Sequence, residues 1–463
     1  MHQLSQHTIA AVATPIGIGG ISVIRISGNT AFQIAQSVFK SGTSIITAPS
    51  HTIHYGTIND ADGLTVVDTV LVSLFRGPNS YTGEDVIEIS CHGGYFVAQK
   101  ILSLLYAAGA HSAKPGEFTQ RAFLNGKLDL TQAEAVADII HSRSEKSHRA
   151  SVMQLSGRLS KYVNSIREQL LNLCSLLELE LDFSQEGIEL ATREDILKRI
   201  NSIEVEIKNL SDSYSSGKFV REGVRVALIG KPNAGKSSLL NILLGEERAI
   251  VSEIAGTTRD VIEESIILSG LEFVFFDTAG LRDSYDTIEQ EGIRRTLISL
   301  KQADIALFII DSSHSFSQED VLMLKQITES VENQIPFLFC INKTDIKDKA
   351  FSLMDLGVIH SVEISCKLNL GINRLKEELV ALSVPHHDSG SSSIIITNVR
   401  HKDALMSTLE SLQKARETIS QGLGGDFAAV DLRDALNYLG EIIGLTTPDD
   451  ILNHIFGKFC IGK

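Results

Sequence analysis

The chain has 463 residues, is 43% hydrophobic and carries a formal charge of −15. That length accommodates about three domains with cores of their own, and the acidic balance argues against broad non-specific nucleic-acid binding, though a local basic patch or an RNA delivered by a partner is compatible with it. Five scattered cysteines without C-x-x-C spacing (Cys91, Cys174, Cys340, Cys366, Cys460) argue against a disulfide or zinc framework and for a reducing, cytoplasmic setting. Apolar runs such as 305–310 are too short to span a bilayer, and residues 1–9 lack a basic-then-apolar secretory pattern.

In chain order, residues 1–122 alternate short strand-like runs, among them 20–26, 69–74 and 86–90, with Gly, Pro, Asn and Asp turns, and hold one helical pattern at 96–107. This reads as an N-terminal α+β domain. Over residues 123–218 the texture changes. Val152, Leu155, Leu159, Tyr162, Val163 and Ile166, then Leu170, Leu173, Leu177 and Leu181, recur at helical spacing, and no proline falls between Pro115 and Pro232. Long packed helices are the economical reading. A short polar linker at 211–217 leads into a segment of α/β texture, 219–384, and a second linker at 385–393 leads out of it. Helical texture returns over 399–419, 430–443 and from Asp449. Neither flanking block has strand signals, and the C-terminal block, 385–463, would alone make a marginal bundle. The expectation is a multidomain α/β protein whose α/β segment is inserted in one all-α helical domain; the alternative is two separate helical domains.

The segment 219–384 carries the chemistry. A strand-like run at 225–229 feeds G-x-x-x-x-G-K-S (Gly230, Gly235, Lys236, Ser237), and a helical pattern follows at 238–244. Such glycines let backbone N–H groups wrap a pyrophosphate at a helix N-terminus. The lysine reaches the β/γ-phosphates and the serine hydroxyl ligates Mg²⁺, which puts Asn233-Ala234-Gly235-Lys236-Ser237-Ser238 on the phosphates. The run 273–276 leads into Asp277-Thr278-Ala279-Gly280, where the acid holds Mg²⁺ through water and the glycine N–H senses a γ-phosphate. The run 337–341 leads into Asn342-Lys343-Thr344-Asp345. A carboxylate there accepts from guanine N1–H and N2–H; adenine lacks both donors, so ATP would leave it unpaired. The run 362–364 leads into Ser365-Cys366-Lys367, a loop suited to the guanine carbonyl. A chance turn imitates one such motif, whereas four in order, each ending an apolar run, predict a P-loop, Ras-like GTPase domain that binds GTP.

One position departs from Ras-like chemistry. Leu281 stands where a glutamine would orient the attacking water. Hydrolysis then needs another group, and Arg282, Asp283, Asp286, Glu289 and Glu291 lie downstream. Upstream, Ser252-Glu253-Ile254-Ala255-Gly256-Thr257-Thr258 carries a Thr-Thr pair placed to close over the γ-phosphate and Mg²⁺. The Asn233 side chain, with carbonyls of that loop, could cage a monovalent cation where other enzymes place an arginine finger; a turn-capping asparagine is the plainer alternative.

Outside these motifs the chain resembles the tRNA uridine-modification GTPase family MnmE, also named TrmE, over essentially its whole length. The resemblance is carried by Ala13-Thr14-Pro15, Arg25-Ile26-Ser27-Gly28, Tyr81-Thr82-Gly83-Glu84-Asp85, His92-Gly93-Gly94, the run 115–127 and the terminal Phe459-Cys460-Ile461-Gly462-Lys463. It implies an N-terminal domain that binds a tetrahydrofolate derivative (5-formyl or 5,10-methylene) and forms the homodimer. It implies a heterotetramer with the FAD-dependent MnmG, tRNA as substrate, and addition of an aminomethyl or carboxymethylaminomethyl group at C5 of the wobble uridine. It further implies potassium-activated hydrolysis. By match to the family, Arg25, Glu88, Lys127 and Lys463 contact the folate, whose glutamate tail wants cations and whose pterin wants a carboxylate. Asn233, Ser252, Ile254 and Thr257 match the K⁺ site, Ser237 and Thr258 the Mg²⁺ site. Glu289 matches the residue that orients water, with Arg282 second to it. Ser252 stands where Thr is usual and Cys366 where Ala is usual; both contacts run through backbone.

Cys460 is read either as a thiol acting on the uridine or the one-carbon unit, or as a small residue packed beside the pterin. His92 is expected in a turn or core, and His386 and His387 in solvent. Two rival readings remain on sequence: a regulatory or ribosome-assembly GTPase, which would need neither the 115–127 run nor the Cys460 tail, and a folate-dependent transferase with a decorative GTPase, which the intact Lys236, Asp277 and Asp345 oppose.

Overall fold

The computed structural model describes residues 7–182, 191–247, 263–277, 300–314, 335–348, 351, 360–383, 394–422 and 425–463. They form two compact units. One comprises 1–137, 153–200 and 410–463; the other comprises 138–152 and 201–409. These units do not follow the four sequence segments, because the N-terminal sheet and the C-terminal helices share a unit.

The first unit holds a seven-stranded sheet: β1 (Ile9–Val12), β2 (Ile21–Ser27), β3 (Phe39–Lys40), β4 (Thr52–Asn59), β5 (Val66–Phe75), β6 (Val86–His92) and β7 (His111–Ser112), in the order β3-β4-β5-β6-β2-β1-β7. Pairing is antiparallel throughout except β1 with β7. Side chains alternate across the sheet with period two. Ile24, Ile26, Val72, Leu74, Ile87 and Ile89 point into a core filled by α1 (Ala31–Val38) and α2 (Tyr95–Ala107). Arg25 and Glu88, directly opposite in the β2–β6 register, fall on the other face. The predicted run 20–26 is matched by β2, while β5 and β6 run longer than 69–74 and 86–90 and take in the polar Asp68 and His92, which bond to each other.

Next come α3 (Glu117–Leu124), α4 (Leu130–His141), α5 (Glu145–Leu155), α6 (Arg158–Asp182) and α7 (Arg193–Asp212). On α6, Leu159, Val163, Ile166, Leu170, Leu173 and Leu177 are buried as the stripe predicts. Val152, included in the same stripe, is 43% exposed, since it lies on the preceding helix and outside the α6 face. The predicted linker at 211–217 is helical: α7 runs to Asp212 and α8 spans Tyr214–Glu222. Its small polar residues answer a close approach. The Ser213 hydroxyl accepts from Ile396 N at 3.0 Å, and a Cβ on Gly217 would stand 2.0 Å from Ile396 O.

The second unit is built on a six-stranded sheet: β8 (Val224–Ile229), β9 (Glu263–Leu268), β10 (Leu271–Asp277), β11 (Ile305–Asp311), β12 (Phe337–Asn342) and β13 (Ser361–Glu363), ordered β13-β12-β11-β8-β10-β9. Only β9 is antiparallel. Strands buried on both faces read as continuous apolar runs, as in β11, where Ile305 to Ile310 are all buried. One face packs Leu239 and Leu243 of α9 (Lys236–Glu247) with Leu375 and Leu379 of α10 (Ile372–Ser383). The other gathers Phe276, Phe308, Phe339 and Phe351. The chain closes with α11 (Val399–Gln421), α12 (Gly425–Ile443), which packs along α6, and α13 (Asp449–Phe456).

The Tyr81–Asp85 and 115–127 motifs meet in a buried charge network of the first unit. Arg121, 2% exposed, donates to Glu84 Oε2 at 3.0 Å, Glu117 Oε1 at 2.8 Å and the His7 carbonyl at 2.9 Å. The Ser27 hydroxyl donates to Glu84 Oε2 at 2.7 Å. Removing the guanidinium strands two largely buried carboxylates, so Arg121→Ala should destabilise the first unit by about 3–5 kcal/mol. Urea unfolding followed by a probe in that unit checks this, and Arg121→Lys should recover only part of the loss.

Candidate functional site

The chain passes from β8 to β9 and β10 on one side of the sheet and from β11 to β12 on the other, so a crevice opens at the C-termini of the adjacent β8 and β11, where α/β sheets bind ligands. The loop 230–235 leaves β8 there and enters α9. Its glycines answer steric demands. A Cβ on Gly230 would stand 2.4 Å from Ile309 O, and one on Gly235 would stand 2.1 Å from Asn342 Nδ2. Asn233 is exposed with φ 64°, a left-handed conformation that asparagine tolerates better than most residues. Lys236 is buried and curls back over the loop, donating from Nζ to Gly230 O at 2.7 Å and Lys231 O at 3.0 Å. Ser237 and Ser238 are exposed at the start of α9.

The loop after β12 lies beside it. Asn342, 2% exposed, donates from Nδ2 to Ala234 O at 2.9 Å and accepts the Cys366 N–H on Oδ1 at 3.1 Å. One amide thus ties the phosphate loop to the 365–367 loop. The Ser365 hydroxyl, fully buried, donates to Asp345 Oδ1 at 2.6 Å, and Thr344 Oγ1 donates to Ile364 O at 2.9 Å. Asp345 is thereby oriented before any base arrives. Sequence reasoning took the 365–367 loop as backbone only and missed the Ser365 side chain; its hydroxyl three residues after a buried strand residue is the signal. Burial pushes the Cys366 thiol up, partly offset by a hydrogen bond from Asn342, and burial pushes Cys340 far above the thiol range. Neither is poised as a nucleophile.

Asp277 ends β10 in register with Leu228. Ser252, Glu253, Ile254, Ala255, Gly256, Thr257, Thr258, Thr278, Ala279, Gly280, Leu281, Arg282 and Glu289 lie outside the described residues, as do Asp283, Asp286, Glu291, His386 and His387.

A second constellation lies on the first unit. Arg25 donates from Nε to Glu88 Oε1 at 2.9 Å and from Nη1 to Gly462 O at 3.4 Å. Its guanidinium covers the rings of Tyr81 at 5.0 Å and Phe118 at 5.7 Å. The chain end reaches this place because Leu452, Phe456 and Phe459 bury against Leu130 and Ala133. Gly462 is needed there, since a Cβ would stand 2.4 Å from Val12 O at φ 95°. Burial, then the charge of Arg25, lower the Lys463 ammonium below its usual range, while Glu88 opposes them. Three of the four residues assigned to folate are therefore together. The fourth, exposed Lys127, donates to Pro78 O at 3.0 Å. Cys460 is exposed. His92, expected in a turn or core, ends β6 exposed, with Nδ1 at 2.7 Å from Asp68 Oδ1.

Comparison with known proteins meets this geometry. The family profile "MnmE helical domain" matches residues 130–460, and "GTP-binding protein TrmE N-terminus" matches residues 8–127. The chain belongs to the MnmE family. It is 45% identical to the tRNA modification GTPase MnmE of Flavobacterium psychrophilum, over 98% of this chain and 99% of that one. It is 44% identical to that of Cytophaga hutchinsonii, over 98% of each. The G domain of the T. maritima FeoB iron transporter shares 27% identity with a TM-score of 0.27, covering 35% of this chain and 99% of that one. As an MnmE-family protein with this P-loop, the chain is a GTP-hydrolysing enzyme of tRNA modification. No described helix is long and apolar enough to cross a membrane.

The packing at Gly235 makes a direct test. Gly235→Ala would push the Asn342 amide off Ala234 O and strain a positive-φ position. Affinity for a fluorescent GDP analogue should fall at least about tenfold, the equivalent of one lost buried hydrogen bond, with the fold retained by circular dichroism.

Proposed function

We propose that this MnmE-family enzyme, together with an FAD-dependent MnmG partner, installs an aminomethyl or carboxymethylaminomethyl group at C5 of the wobble uridine of certain tRNAs. It does so in the cytoplasm as a homodimer within a heterotetramer. The observation that carries this reading beyond a generic GTPase is the joining of Arg25, Glu88 and the Gly462-Lys463 end at one place. A regulatory GTPase has no use for Gly462 and a half-buried Lys463 held beside an arginine–carboxylate pair.

The donor set fits a reduced folate. Glu88 accepts hydrogen bonds, as pterin N–H groups require, while Arg25, Lys463 and Lys127 offer cations for a glutamate tail. A bound tetrahydrofolate derivative would supply the one-carbon unit. Cys460, exposed two residues before Gly462, is the candidate thiol next to it.

At the nucleotide site, Asp345, set by Ser365, would read guanine N1–H and N2–H, and Asn342, Lys343, Thr344, Ser365, Cys366 and Lys367 would frame the base. Lys236 would exchange its two loop carbonyls for phosphate oxygens. The exposed hydroxyl of Ser237, with Thr258, suits Mg²⁺. The exposed Asn233 amide, with Ser252, Ile254 and Thr257, suits K⁺, whose charge would stabilise the transition state. Glu289 would orient water, with Arg282 second to it, because Leu281 has no polar atom to do so.

Two measurements test this. Steady-state GTP hydrolysis should be far faster in KCl than in NaCl, and Glu289→Ala should lower kcat by about two or more orders of magnitude with GTP affinity nearly unchanged; equal rates in the two salts remove the cation site. Cells lacking this chain should lose C5-modified wobble uridines by nucleoside mass spectrometry. Full-length protein should restore them, whereas a variant lacking 459–463 should not, despite near-normal GTP hydrolysis in vitro. Unchanged nucleosides in the deleted strain would end the modification reading.

A further inference from the structure

We propose that Asp311 is a positioning residue for guanine-nucleotide binding, acting through Lys343 without touching the nucleotide. This deepens the reading of residues 342–345 as the base loop and rests on it. Asp311 ends β11 directly beside Asn342 in the parallel register. Its Oδ2 receives the Lys343 ammonium at 2.5 Å, and its Oδ1 accepts the Ser313 N–H at 2.9 Å and hydroxyl at 2.6 Å. Ser312, fully buried, donates both its N–H and its hydroxyl to Asn342 O, at 3.0 and 2.7 Å, and its own carbonyl accepts the Asp348 N–H at 2.8 Å. The tripeptide Asp311-Ser312-Ser313 at the end of β11 therefore holds the end of β12 at Asn342 and the loop after it at Lys343, with a further tie at Asp348.

That support has a backbone to hold. Lys343 has φ 63°, a left-handed conformation that costs a side-chain-bearing residue about 1–2 kcal/mol. It is the hinge between Asn342, which ties the two loops, and Asp345, which faces the base. A half-exposed ion pair contributes only about 0–1 kcal/mol to folding, so Lys343–Asp311 is poorly suited to a purely structural role. Its energy is better matched to keeping one conformation of a short loop, where the same amount appears as ligand affinity.

The discriminating experiment is a double-mutant cycle on GDP and GTP-analogue affinity in the full chain. Asp311→Asn retains the volume and an acceptor for Ser313 and removes the charge. It should weaken both nucleotides about fivefold, the equivalent of about 1 kcal/mol, with kcat at saturating GTP and the nucleotide-free melting temperature near wild type. Lys343→Met should weaken binding at least as much, and the double variant no more than Lys343→Met alone. Asp311→Glu should recover part of the loss. Wild-type affinity in Asp311→Asn, or multiplicative losses in the double variant, overturns the proposal. Should Asp311→Asn fail to fold, wild-type affinity in Lys343→Met overturns it equally. Asp345→Asn serves as the control on the base loop. If it does not shift preference from GTP to xanthosine triphosphate, the base-loop reading fails; if it does while Asp311→Asn binds normally, only the Asp311 role fails.

Discussion

Two hydrogen bonds from one buried amide hold the nucleotide crevice together. Asn342 gives its N–H to the carbonyl of Ala234 and takes the N–H of Cys366 on its oxygen. The phosphate loop, the loop after β12 and the loop after β13 come from distant parts of the sequence, and each alone is a short turn with several solvated conformations. An amide side chain carries a separate donor and acceptor, so one residue donates to one loop and accepts from another at once. Its burial makes the arrangement strict, because either bond lost leaves an unpaired polar atom away from water. This also explains why the second glycine of the phosphate loop tolerates no Cβ: the space is filled by the Asn342 amide.

The first unit uses charge in a different way. Arg121 is enclosed by Glu84, Glu117 and a backbone carbonyl, so its charge ties α3 to the 81–85 loop and to His7. The 81–85 and 115–127 runs supply most of that network, and their residue types are accounted for by mutual satisfaction of buried polar groups. Arg25 is different. It is less buried, lies over two aromatic rings and meets the Gly462 carbonyl, and its partner Glu88 is partly exposed. The two arginines thus differ in burial, the Arg121 side chain being 2% exposed and that of Arg25 13%.

Holding the last residues beside β1 and β2 needs apolar anchoring. Leu452, Phe456 and Phe459 supply it, and the polar Cys-Ile-Gly-Lys end then lies on the surface beyond them with Gly462 pressed to Val12. A thiol one step beyond a buried phenylalanine is held in place while remaining open to solvent. The two cysteines near the nucleotide site have the opposite character: Cys340 is buried, Cys366 is partly buried, and both are disfavoured as thiolates.

Much of this protein was legible in sequence, for identifiable reasons. Parallel strands buried on both faces leave unbroken apolar runs, so β8, β10, β11 and β12 and the motifs at their ends could be placed by reading. The heptad-like stripe of α6 followed from spacing alone. What the sequence did not disclose depends on contacts between distant residues. The polar stretch 211–217 resembled a linker, but its small residues exist to let α8 approach Ile396, and small residues look alike whether exposed or closely packed. His92 resembled a turn residue until Asp68, on the neighbouring strand, explained its place. The Ser365-Cys366-Lys367 motif does not disclose that the Ser365 hydroxyl meets Asp345, and Asp311 carries no motif at all, since both contacts join loops that follow different strands. Sequence by itself determined which chemistry the loops offer, because phosphate and guanine recognition demand particular groups at short spacings. Only the tertiary structure decided which groups orient those loops and that the chain's last residues meet its second strand, because such pairings close over hundreds of residues and leave no local periodicity.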